Sequence, residues 1–102
     1  MKKMLWMLLI VSPISMAAGN ANVDRYTACI KNNSIKYSKT NEAAETVARA
    51  TVASCAVEMQ KAVESNEFWQ YASPESKANL IAKMKAAGED LSIKTVLDER
   101  LK

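Results

Sequence analysis

Residues 41–69 read NEAAETVARATVASCAVEMQKAVESNEFW. They hold no proline or glycine, they are rich in alanine, and their apolar residues recur at steps of three and four, the spacing of a helix. This predicts one long helix that starts after Thr40 or Asn41 and runs to about Trp69. Glu42 and Glu45 fall in its first turns, where the positive end of a helix favours acids, and Glu45 can pair with Arg49 at i+4. Two apolar seams run along it. One is Ala48, Val52, Cys55, Met59, Ala62, Asn66 and Trp69; the other, mostly of small residues, is Ala43, Val47, Ala50, Ser54 and Val57. At ~100° per residue the seams lie about 120° apart. A helix apolar on two sides needs two neighbours. The expectation is a central helix with both seams buried, an N-terminal helix against one and a C-terminal helix against the other. The small seam is also where the chain could pair with a second copy as a homodimer.

The neighbours are legible on either side. Before the centre, a helix is expected from about 23 to 34, reaching 37 at most, with Asn22 as N-cap and Asp24 in the first turn. Val23, Tyr26, Ile30 and Tyr37 share one side of it, with Cys29 beside them, and Asn32-Asn33-Ser34-Ile35 is expected to break it. Asn32-Asn33-Ser34 also matches a glycosylation acceptor, read here as chance. After the centre, Ser73-Pro74-Glu75 supplies a serine N-cap, proline at the first helical position and an acid in the first turn. Leu80, Ile81, Met84 and Ala87 form the apolar face of the helix that follows. Gly88-Glu89-Asp90 either ends that helix or merely interrupts it. A last segment, 91–101, puts Ile93, Val96, Leu97 and Leu101 on one face, with Asp90 offering a cap. Strand signals are almost absent. The fold class is all-α, a small three- or four-helix bundle.

The start of the chain carries an address. Lys2 and Lys3 precede the uncharged run MLWMLLIV at 4–11, and Ser15-Met16-Ala17 and Gly19-Asn20-Ala21 then offer small residues at cleavage positions. This is the order of a bacterial secretory signal peptide. Residues 1–21 are expected to be that peptide, cut between 17 and 21, and 22–102 a single helical domain that is periplasmic or secreted. The apolar run is too short to span a bilayer, so no stable membrane anchor is expected. Cleavage after Ala17 removes two of 14 basic residues and leaves 12 against 11 acids. A net charge near +1 gives no general attraction to nucleic acid.

A domain of this length has a marginal core and usually needs a staple. Cys29 and Cys55 are the two cysteines of the chain, and in an oxidising compartment an even pair reads as a disulfide. It would join the first two helices. Closing a loop of this length is worth roughly 3.5 kcal/mol in the chain-entropy model. A lipoprotein reading of Tyr26-Thr27-Ala28-Cys29 fails because Asp24 and Arg25 sit directly before it. A redox-active pair fails for want of C-x-x-C spacing.

Chemistry is sparse. There is no histidine, and so neither the commonest general base nor the commonest metal ligand. Nucleophile-elbow, zincin, P-loop and dinucleotide motifs are absent. Glu42/Glu45 and Asp98/Glu99 sit where a solvated helix surface would put acids. No catalytic residue, metal ligand or cofactor is expected. Phe68-Trp69-Gln70-Tyr71 holds three of the five aromatics that follow the leader. Aromatics are favoured binding anchors, but such a cluster can equally close a core. Trp69 continues the large seam and is expected to be mostly buried; Phe68 and Tyr71 are the candidates for contact with a partner.

Tyr26-x-x-Cys29 followed by Glu42-x4-Val47-Ala48-Arg49-Ala50-x4-Cys55 resembles a pattern found in small secreted bacterial proteins of unknown function. That resemblance covers about 30 residues, implies a helical fold with a helix-to-helix disulfide, and carries no activity. A looser architectural likeness is to periplasmic acid-stress chaperones and toxin-immunity proteins. Three functions therefore stand as expectations. The first is a non-enzymatic module that binds another envelope or secreted protein. The second is an envelope-stress holdase, and the third a small hydrolase or toxin using carboxylates and lysines.

Overall fold

A computed structural model describes residues 20–102. The leader read from residues 1–21 lies outside them except for Asn20 and Ala21. The described chain is four helices and no strand: α1 (Ala21–Tyr37), α2 (Ala44–Ser54), α3 (Ala56–Glu64) and α4 (Pro74–Arg100), with a 3-10 turn at Trp69–Tyr71 before α4. The fold is all-α with one disulfide, Cys29–Cys55.

Helix α1 starts two residues earlier than its sequence signals indicate. Asn20, not Asn22, is the N-cap, its Oδ1 accepting from the Val23 amide at 3.1 Å. The expected break at 32–35 does not occur. Asn33 turns its side-chain amide back to the Cys29 carbonyl at 3.0 Å, and Ser34 is fully buried with its hydroxyl 2.6 Å from that of Ser92. Polar groups that would compete with the helix are instead bonded along it or across to α4.

The expected central helix is two helices that meet at Cys55, whose ψ of 22° departs from the helical value. One residue earlier, Ser54 Oγ donates to the Ala50 carbonyl at 2.9 Å, a back-bond that bends helices. The disulfide thus ties α1 to the α2–α3 junction, with a Cα–Cα distance of 6.0 Å. The second helix also ends at Glu64, short of Trp69. Glu45 and Arg49 form no ion pair; among the described residues the ion pairs are Lys94–Asp98 and Lys102–Glu99.

The small seam is not buried. Ala43, Ala50, Ser54 and Val57 are exposed, Val57 by 63%, and only Val47 is enclosed. Helix α2 instead buries one stripe, Ala44, Val47, Ala48, Thr51 and Val52. Both α1 and α4 pack on that stripe, so the opposite face is left to solvent. Small side chains on α4 make this arrangement possible. Gly88, Ser92 and Val96 are its buried row, one turn apart, and Tyr26, Ile30 and Ser34 form the matching row of α1. A methyl group on Gly88 would collide with the Tyr26 hydroxyl and crowd Val52. The Tyr26 hydroxyl donates to the Met84 carbonyl at 3.1 Å, and burial, with Glu89 adding to it, holds that phenol protonated beyond its ordinary range. Gly88 therefore does not break the helix. α4 runs through it unbroken, and Asp90 lies mid-helix.

The core has two apolar clusters. Tyr26, Ile30, Val52, Cys55, Met59 and Ala62 form the larger; Ala44, Val47 and Val96, with Tyr37 and Ile93 against them, form the smaller. On α1, α2 and α4 respectively, Ser34, Thr51 and Ser92 fall between residues of the two clusters, all three at 0% exposure. Ser34 and Ser92 satisfy each other; Thr51 Oγ1 has no hydrogen-bond partner among the described residues. Leu97 and Leu101, expected on an apolar face, are 47% and 84% exposed. The last turn of α4 is held by Arg100 instead. Its guanidinium donates to the carbonyls of Ser38, Thr40 and Glu42 at 2.9, 2.9 and 2.7 Å, closing the α1–α2 connection.

Candidate functional site

The segment between α3 and α4 is short, polar in its backbone contacts and aromatic in its side chains. α3 stops at Ser65, whose hydroxyl lies 2.6 Å from the Ala62 carbonyl and 3.2 Å from Asn20 Oδ1. Asn66 Oδ1 accepts from the Phe68 amide at 2.8 Å, an Asx-turn, and the Asn66 carbonyl accepts from Trp69 at 2.9 Å. Tyr71 and Ala72 amides then bond back to Phe68 and Trp69. Ser73 closes the turn as N-cap of α4, accepting from Ser76 at 3.1 Å, with Pro74 at the first helical position. Between 65 and 77 the backbone amides of Ser65, Asn66, Phe68, Trp69, Tyr71, Ala72, Ser76 and Lys77 are hydrogen-bonded.

That fixed backbone turns two aromatic rings outward. Phe68 is 67% exposed and Tyr71 79%. Trp69 is half-buried, less than its place on the large seam predicts, because α3 has ended before it; Lys77 Nζ sits 5.0 Å from its ring centre. Asn66, expected on the same seam, is exposed. Two exposed rings on an ordered turn are contact surface of high area and low ordering cost.

Beside Phe68 lies an open polar recess of about 340 Å3, lined by Asn20, Ser65, Asn66, Glu67 and Phe68. Phe68, Trp69 and Tyr71 stand out in the sequence, but this recess does not. Its signal was the Asn66-x-Phe68 spacing of an Asx-turn; the part played by Asn20 is long-range and left no local trace. Of the residues expected to form a homodimer contact, Val47 is buried in the core, while Ala43, Ala50, Ser54 and Val57 lie on the surface. Cys29 and Cys55 are consumed in the disulfide. Among the described residues no group of three or more metal-ligating side chains comes together, and no helix is long and apolar enough to cross a membrane. Comparison with protein-family models, with curated proteins and with solved structures returns no match.

Proposed function

We propose that this chain is an exported bacterial protein-binding module without enzymatic activity, and that the 65–77 turn holds another envelope or secreted protein. The observation that carries the reading is the outward display of Phe68 and Tyr71 on a hydrogen-bonded turn. Neither ring belongs to a core cluster. The absence of histidine and of catalytic motifs in the sequence agrees with a binding role. Export rests on the leader at 1–21, and the disulfide is compatible with an oxidising compartment. Asn20 caps α1 and reaches Ser65, so cleavage after Ala17 keeps that cap whereas cleavage after Ala21 removes it. The site after Ala17 is the one the folded domain favours.

Phe68→Ala and Tyr71→Ala, each assayed for melting temperature and for recovery of periplasmic partners, test the proposal. An anchor costs about 2 kcal/mol or more of binding when truncated and leaves folding nearly unchanged. Loss of stability in both variants, with partner recovery unaltered, would return the rings to the core and refute the reading.

A further inference from the structure

We infer that the recess beside Phe68 receives an arginine or lysine side chain of the partner, so that the partner surface is an apolar cleft with a basic rim. The inference rests on the protein-binding reading and adds to it the charge of what is bound. From Ala62 to Ser76 the chain carries Glu64, Glu67 and Glu75 and not one basic residue, although basic residues outnumber acids in the chain as a whole. All three carboxylates are exposed, and none is in an ion pair among the described residues. The flanking bases are Lys61, exposed on α3, and Lys77, drawn over the Trp69 ring.

The recess itself is built for a donor. Its lining is polar apart from Phe68, and Glu67 is the one charged residue among Asn20, Ser65, Asn66 and Glu67. Asn20 Oδ1 accepts from the Val23 amide and lies 3.2 Å from Ser65 Oγ, and Asn66 Oδ1 accepts from the Phe68 amide, which leaves Glu67 as the uncommitted charge. Phe68 stands at the edge, where the alkyl stem of a long basic side chain packs on its ring while the charged head meets Glu67. The same acids repel an anionic lipid surface, so the exposed aromatics point to a protein rather than a membrane.

The probe is an amphipathic Arg/Leu helical peptide, set against a citrulline/Leu peptide of the same length and shape but without charge. Both are titrated into the full exported protein while backbone amide shifts are followed. The Arg/Leu peptide is expected to shift Ser65, Asn66, Glu67 and Phe68, and the citrulline peptide is not. Glu67→Gln, which keeps the shape of the side chain, is expected to slow association by about tenfold at low salt and to flatten its salt dependence. Equal binding of the two peptides, shifts centred elsewhere, or binding of phosphatidylglycerol vesicles through Phe68 and Tyr71 would overturn the inference. If Phe68→Ala abolishes partner recovery while Glu67→Gln and added salt leave it unchanged, the charge inference fails and the binding role stands. If Phe68→Ala and Tyr71→Ala leave recovery unchanged, the binding role itself fails.

Discussion

Between Gly88 and Arg100, helix α4 encloses one residue per turn, at Gly88, Ser92 and Val96; between Pro74 and Ala87 it encloses none. The half from Gly88 onward carries the smaller side chains at its contact and is the better buried. The half from Pro74 to Ala87 carries Leu80, Ile81 and Met84, which are only partly covered. Burial in this protein therefore follows how closely backbones approach, not how apolar a stretch reads. Gly88 and Ser92 let α4 lie against α1 and α2 together, and the larger residues toward the aromatic turn stay only partly covered. The tightly docked half specifies the fold. The looser half leads away from the turn that displays Phe68 and Tyr71, so the apolar surface available to a partner lies where packing is least complete.

The largest expected effect reaches both halves. The Cys29–Cys55 bond fixes α1 to the α2–α3 junction, and both partners of α4 depend on that arrangement. Reduction, or replacement of both cysteines by serine, should lower stability by about 3.5 kcal/mol, read as a fall in melting temperature. Next in size are truncations that separate the halves. Val96 is at 0% exposure, and Val96→Ala should cost about 2–3 kcal/mol. Leu80→Ala, at a partly covered site, should cost less than about 1 kcal/mol in the same denaturant titration. Equal costs would erase the contrast between the two halves.

Gly88→Ala sharpens the same contrast. Overpacking against Tyr26 costs about 1–3 kcal/mol and better helix propensity returns about 1, so a net loss of up to about 2 kcal/mol is expected. Tyr26→Phe removes the colliding hydroxyl, and a double-mutant cycle should show the two changes strongly coupled. The smallest effect has the opposite sign. Thr51→Val keeps the shape and removes a buried hydroxyl without a partner, so it should stabilise by about 1 kcal/mol.

What was legible in the sequence was whatever local chemistry encodes. The helical class, the Cys29–Cys55 pair and the Ser73-Pro74-Glu75 start could all be read from spacing and capping residues. So could Phe68 and Tyr71 as outward-facing rings, since both leave the apolar seam. What escaped was decided by contacts across the chain. Gly88 reads as a breaker because its propensity is poor, yet it is kept by the Tyr26 ring 62 positions away. Ser34 reads as part of a loop because serine competes with helix, yet its hydroxyl is spent on Ser92. The second seam reads as core because alanine and valine recur along it. Periodicity gives the direction of an apolar face but not whether a neighbour reaches it. The recess at Glu67 needed Asn20 brought to Ser65, which no spacing announces.

Native-state amide hydrogen exchange along α4 tests the division of that helix most directly. Amides from 92 to 100 should exchange only near global unfolding. Amides from 78 to 86 should exchange through local opening at a free energy lower by about 2 kcal/mol, with the change in protection falling close to Gly88. Uniform protection through both halves, or stronger protection in the first half than in the second, would contradict the account.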